Sequence, residues 1–468
     1  MSQDLAPAAP DPAAAPPVDP ELKRIAVAIV TGAIAVILDT TIVSVALHEL
    51  GTALDASVET IQWVSTAYLL AMFVSIPLTG WAQSRLGSKR LWLQSLSVFL
   101  AGSLLCACAW DVGSLIAFRA VQGIGGGAML PLMTTILMQA AHGRNLGRLM
   151  AAVSLPIALG PVLGPVVGGV ILGNLSWEWL FLVNVPLCVA GLVLAARRLP
   201  ADEPGTRVRL DAVGLALVCP GVIAVIYGLT QVADHGGIGS RGVLLPLVPG
   251  AVLLGGFGAW ALRTGPRALI DLRLLRHRAL ATSTLLLFLA GAVLYGAMLL
   301  LPLYWQVVRG EDALGAGLLL VPQGLGALAS RSLAGRLTDS IGGRWVAVAG
   351  FAVLALATVP YALADATTPT WWLMAALFVR GVGLGAVIIP LMTSAYLGLA
   401  REEMPDASII TRVAQQLGGS FGVAVLAVVL ARSGGFGPAF WWSIGITAVA
   451  VAAAFLVPAR AAAPAPPS

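Results

Sequence analysis

The sequence predicts an all-α integral membrane protein, and three observations carry that prediction. Fourteen long apolar stretches run through its 468 residues. Charged residues make up 10% of the chain, against about 25% in soluble domains, and the mean hydropathy is +0.91. One acidic residue, Asp39, sits deep inside an apolar stretch, and no other does. A helix crossing the hydrocarbon core needs about 20 residues, so the length suits roughly twelve to fourteen crossings. The runs are unbroken, whereas barrel strands would alternate apolar and polar residues, so the backbone must satisfy itself as helices.

The expected spans, in order, are residues 25–47, 61–83, 91–110, 112–138, 148–173, 177–197, 211–232, 242–262, 279–308, 313–335, 345–364, 370–397, 407–431 and 438–459. An even count puts both ends on one side, and the basic residues choose the side. Loops on the side of the tails hold 21 of the 27 basic residues, from Lys23 and Arg24 to Arg460. The opposite side has Arg241, Arg309 and Arg432. Both termini are therefore expected in the cytoplasm. The remaining three, Arg119, Arg331 and Arg380, fall inside spans. The net charge of +5 is thus topological and forms no stripe for nucleic acid. The 25 Arg against two Lys reflect a high-GC coding bias. Cys106, Cys108, Cys188 and Cys219 all lie in spans, with neither metal spacing nor a disulfide framework.

The chain also repeats itself. Gly80 to Arg90 closes span 2, and Gly335 to Arg344 closes span 10 in similar residues. Phe118-Arg119 with Gly123 and Gly125 matches Val379-Arg380 with Gly381, Gly383 and Gly385. The expected organisation is a disordered tail at 1–22, a six-helix half at 23–200, two inserted helices with linkers at 201–278, a second six-helix half at 279–460 and a tail at 461–468. Parallel six-helix halves around a midplane site are an alternating-access design.

Several segments resemble the major facilitator superfamily, and within it the fourteen-span drug:proton antiporters of the EmrB/QacA type. They are Leu38 to Leu47, Gln62 to Leu70, Pro302 to Gln306, the loop run Gly80 to Arg90 and the span-5 run Leu159 to Gly169. The resemblance covers nearly all of the chain outside the tails and implies the major facilitator fold and proton-coupled export. The chain departs from the pattern at Ser84, where Asp is usual, at Ser340, where Arg is usual, and at His48, Glu178 and Arg331.

Asp39 is the first candidate for a coupling group, because a carboxylate near the bilayer midplane is costly and is rarely there without a function. It either binds and releases a proton or contacts substrate, or it is a structural acid hydrogen-bonded to a neighbouring helix. On a helix, Thr40, Thr41, Ser44 and His48 share one arc, with Asp39 about 100° from Thr40, so Asp39 is expected to face a helix and the hydroxyls the cavity. The resemblance implies a proton-transfer role for Arg119, flanked by Gln122; otherwise it is a cation tying spans 1 and 4 together. Arg380 looks like its second copy. By resemblance Gln62, Tyr68, Tyr304 and Gln306 are cavity candidates, and Arg331 counts with them. Gly160, Gly164 and Gly168 recur every four residues as a small-residue ridge, and Pro161 and Pro165 bend it. The resemblance makes this run, with Gly169, the antiporter motif. It likewise makes Gly80, Arg85, Gly87, Arg90, Asp339 and Arg344 a cytoplasmic latch.

The expected function is proton-coupled efflux of small amphipathic compounds across the cytoplasmic membrane. The alternatives are import of a nutrient or siderophore by the same fold, and a membrane-embedded enzyme or receptor. The second lacks any intramembrane cluster of acids, His or Cys, and the chain has no Gly-Lys pair for a phosphate loop. Expected partners are a small-molecule substrate, protons and the lipid bilayer, with no cofactor, metal or nucleic acid, and the chain is expected to work as a monomer.

Overall fold

The structure, a computed structural model, describes residues 20–141, 164, 167–202, 209–234, 239–311, 313–365, 367–400 and 402–458. All regular structure among the described residues is helical. The helices are α1 (Pro20–Ala53), α2 (Val58–Leu86), α3 (Ser88–Ala107), α4 (Val112–Ala141), α5 (Asn184–Arg198), α6 (Ala212–Asp234), α7 (Arg241–Thr264), α8 (Arg278–Leu303), α9 (Ala313–Leu319), α10 (Val321–Ile341), α11 (Gly343–Ala362), α12 (Thr370–Ala395), α13 (Met404–Ser433) and α14 (Phe436–Ala454). A single turn, Trp179–Leu182, leads into α5, and a π-helical turn, Tyr304–Val308, extends α8.

Twelve helices among the described residues are long and apolar enough to cross a membrane, so the count of fourteen is not reached there. The expected span 148–173 lies mostly outside the described residues. The expected span 313–335 is helical but broken at Leu320, and the helix that follows, Val321–Ile341, carries Gln323, Arg331, Arg336 and Asp339, which dilute its apolar character. Helix α1 starts earlier than expected, at Pro20, with Glu21 in its first turn. A proline at a helix start forfeits no hydrogen bond, and an acid there favours the helix dipole.

Helices α2 and α3 pack on α4, and α1 packs on α5. The later helices repeat that pattern: α10 and α11 pack on α12, and α8 packs on α14; α8 also packs on α13. The inserted pair α6 and α7 lie together, with α6 against both α2 and α13. The largest apolar cluster accordingly draws residues from all three groups, among them Met72, Val222 and Ile409.

Glycines set the repeat's register. Gly87 and Gly342 each make a one-residue turn at φ 86° and 90°, a conformation that a Cβ would strain. Inside the helices, Gly123, Gly125 and Gly127 of α4 meet the backbones of Tyr68, Phe99 and Met72. Gly381, Gly383 and Gly385 of α12 meet those of Gln323, Leu354 and Ala327. Each partner is displaced by 255 residues and each glycine by 258. The small ridge Gly418 and Gly422 of α13 lies against the Phe288 and Ala292 carbonyls of α8. Gly422→Val has no room to stand there and is expected to cost about 1–3 kcal/mol, read as a lower unfolding midpoint in detergent. Gly255→Ala, where nothing lies within 4 Å, is expected to leave the midpoint unchanged or higher.

Candidate functional site

Asp39 lies on α1 with no exposed surface and points at α4. Its Oδ2 accepts from Arg119 Nη1 at 2.6 Å, and Arg119 is 1% exposed. Its Oδ1 accepts from Gln122 Nε2 of α4 at 3.0 Å and from Asn184 Nδ2 of α5 at 2.9 Å. The same two amide nitrogens donate to Ser103 Oγ of α3 at 2.6 and 3.1 Å. Both amides therefore use both of their N–H bonds on Asp39 and Ser103. Arg119 Nη1 also donates to Gln122 Oε1 at 2.6 Å, and its Nε to the Val64 carbonyl of α2 at 3.2 Å. The Tyr68 ring lies 3.9 Å from the guanidinium carbon, and the Cys106 thiol points at Gln122 Oε1.

Five helices thus converge on one carboxylate. The arrangement answers the requirement on buried charge: a desolvated ion pair is tolerated when its remaining donors and acceptors are also satisfied. Chemically it offers an acid that can take a proton and a permanent cation that senses the change. A proton on Oδ2 would compete with Arg119 Nη1 for the same lone pairs. The freed guanidinium would keep Gln122, the Val64 carbonyl and the Tyr68 ring as partners.

The repeat does not copy this site. In the glycine register, Arg380 stands where Gln122 stands and Leu377 where Arg119 stands, so Arg380 is not the second copy of Arg119. The motifs align an arginine with an arginine, but the backbone contacts of the glycines shift the match by three residues, nearly a helical turn. Arg380 Nε donates to Thr358 Oγ1 at 3.2 Å, as Gln122 donates to Ser103, and its Nη1 donates to Gln323 Oε1 at 2.7 Å. The described ion pairs are Asp39–Arg119 and, in a loop, Asp271–Arg273, so neither Arg380 nor Arg331 is paired among the described residues.

The other sequence candidates are scattered. The hydroxyls of half-buried Thr40 and Thr41 donate back to the carbonyls of Ile37 and Leu38 at 2.7 and 3.0 Å, a common fate of hydroxyls on apolar helices. Thr41 packs on Gly164, and Gly168 lies beside the Ile42 carbonyl, so this part of the ridge abuts α1. Gly169 has nothing within 4 Å, and Gly160, Pro161 and Pro165 lie outside the described residues. So do the side chains of Ser44, His48, Gln62 and Asp339. Tyr304 is buried among Trp305, Tyr361, Phe436 and Phe440 in edge-to-face contacts, while Gln306 beside it is exposed.

A second junction lies at the tail-side ends of the helices. Thr135 Oγ1 of α4 donates to Ser408 Oγ of α13 at 2.9 Å, both buried. A Cβ on Gly80 would stand 3.2 Å from Asp406 Oδ1 and from Ile409 Cδ1 of α13. Asp406 Oδ2 also accepts from the Asp271 amide of the linker after α7. The candidate latch residues divide around it. Arg85 lies over the Trp81 ring and is exposed, while Ser84 bonds the Trp81 carbonyl of its own helix. The amides of Lys89 and exposed Arg90 bind Asp202, and Arg344 Nε binds the Val457 carbonyl.

Sequence reasoning missed Ser103, Asn184, Asp202 and Asp406. Asn184 carried a signal, since an amide within an apolar run needs a partner. Asn184→Leu deletes both amide bonds at similar volume and is expected to cost roughly 1–3 kcal/mol in thermal unfolding. Combined with Asp39→Asn, the loss should be smaller than the sum, because the two act in one network.

The sequence model of the Major Facilitator Superfamily matches residues 29–423. The multidrug resistance protein B homolog of Mycobacterium tuberculosis is 35% identical over 84% of this chain and 73% of its own. The multidrug export protein EmrB of Escherichia coli is 30% identical over 83% of this chain and 76% of its own. Among solved structures, a double-tryptophan mutant of XylE superposes with a TM-score of 0.67 over 94% of this chain and 96% of that one, at 15% identity. The fold, the family match over most of the chain and these relatives agree: the chain belongs to the major facilitator superfamily.

Proposed function

We propose that the chain exports small amphipathic organic compounds from the cytoplasm in exchange for protons, by alternating access. Its family makes it a transporter, and relatives named for multidrug resistance and export support the direction and the class of cargo. The observation that carries the proton coupling is the buried Asp39–Arg119 pair, the one ion pair described inside the membrane-spanning helices. Protonation of Asp39 cancels the pair's balance and loosens the junction of α1, α4 and α5. That is a means of turning proton binding into helix movement.

Thr135–Ser408 and Asp406 against Gly80 support a described state closed on the tail side. The basic-residue count, 21 against three, supports assigning that side to the cytoplasm. The span-5 ridge, abutting α1 next to Asp39, supports a coupling route from the carboxylate to a helix that rocks.

Purified chain in proteoliposomes tests the reading. Asp39→Asn should abolish substrate-induced proton release while the protein still inserts and elutes as a folded species. Proton release at the unmodified rate would remove Asp39 from the mechanism. Gly80→Leu should push Asp406 and Ile409 off α2, raise labelling of a Thr135→Cys reporter from the tail side and slow transport. Unchanged labelling would show that the junction does not hold that side closed.

A further inference from the structure

Arg331 of α10 is 8% exposed, and its Nε and Nη1 are buried without a hydrogen-bond partner. A guanidinium stays charged in proteins, so it cannot escape the cost of burial by losing its proton. The other half carries no cation at the equivalent position. In the register of the repeat, Arg331 corresponds to Ile76, buried at 3% in the same packing environment of α2. Ser330, next to it, packs against Gly385 as an ordinary contact of the α10–α12 interface. The same helices carry a second buried guanidinium, Arg380, bonded to neutral groups, about 12 Å away along the axis judged from Gln323. Among the described residues this half of the molecule holds two buried cations and no buried carboxylate paired with them. The first half holds the balanced pair.

We infer that Arg331 is the recognition point for the acidic group of an amphipathic organic anion, a carboxylate or sulfonate, which makes organic acids a substrate class of this transporter. The inference rests on the export reading for the word substrate, though the binding it asserts stands apart from transport. The unpartnered Nε–H and Nη1–H leave different edges of the guanidinium, so each offers one charge-assisted hydrogen bond to an acidic oxygen. An anionic phospholipid headgroup presents related chemistry, so the test separates the two sources.

Purified chain in phosphatidylcholine nanodiscs is titrated with naphthalene-2-sulfonate and with neutral naphthalene-2-sulfonamide, reading the thermal unfolding midpoint. The sulfonate should stabilise saturably and the sulfonamide should not. Arg331→Met should weaken the sulfonate response about tenfold or more, and Arg331→Lys should keep part of it. Without ligand, Arg331→Met should unfold at the same temperature or higher, because it removes an unpaired charge. A lower ligand-free midpoint would make Arg331 a structural bond and overturn the inference. So would equal responses to sulfonate and sulfonamide, or a sulfonate response that survives Arg331→Met. Stabilisation by added phosphatidylglycerol but not by the sulfonate would reassign the site to lipid. In proteoliposomes, absence of any proton-driven export, of ethidium or of the sulfonate, would sink the export reading while leaving the binding result standing.

Discussion

The 2.6 Å contact between Asp39 and Arg119 is the constraint on which the N-terminal helices depend. Each charge is costly without the other: breaking such a pair costs roughly 3–5 kcal/mol because the survivor is left unsatisfied. The neighbouring residues follow from that. Gln122 and Asn184 must be amides with two donors each, since both bridge Asp39 and Ser103. Tyr68 must offer an aromatic face to the guanidinium. Gly123 and Gly127 must lack side chains so that α2 comes close enough to α4 for the Val64 carbonyl to be reached. A five-helix junction organised by one carboxylate is sensitive to the protonation state of that carboxylate, and this links packing to the proposed transport.

The internal repeat shows which features belong to the scaffold. Close-contact glycines keep their partners in both halves, and so do the one-residue turns at Gly87 and Gly342. The charges keep no such register. Asp39 has no acidic counterpart, and Arg119 and Ile76 correspond to Leu377 and Arg331. Backbone approach between helices tolerates only glycine, so duplication preserves it. Side chains pointing to the interior are free to diverge: the first half holds an acid paired with a cation, and the second holds buried cations with no carboxylate paired to them among the described residues.

Much of this was legible in the sequence because the membrane makes polar residues conspicuous. Asp39, Arg119, Arg331 and Arg380 stood out in apolar runs, and the helical fold followed from run length alone. Helical phase also put Asp39 and Thr40 on different faces. What phase does not reveal is where a hydroxyl sends its proton, and Thr40 and Thr41 bond their own helix. Ser103 and Asn184 were obscured because single small polar residues are common in membrane helices and their partners lie 81 residues apart. Tyr304 resembled a cavity residue, but its ring is enclosed by aromatic residues from α11 and α14 that sequence distance conceals. The repeat register failed for a related reason: matching arginines dominated the motif, while the glycines that fix the packing are spaced closely enough to align in two ways.

The division of charge bears on energetics. In the proposed exchange, one proton enters on Asp39 for each compound that leaves. With a neutral compound this moves one positive charge inward, gaining about 2.3 kcal/mol per 100 mV of membrane potential. With a monoanion the outward negative charge adds to the inward proton, and the gain is about 4.6 kcal/mol per 100 mV. With a monocation the two charges cancel and the potential contributes nothing. A second half rich in buried cations disfavours the last case by repulsion and favours the one the potential drives hardest. In the proposed exchange the buried cations of the second half and the single carboxylate of the first would thus act in the same electrical direction.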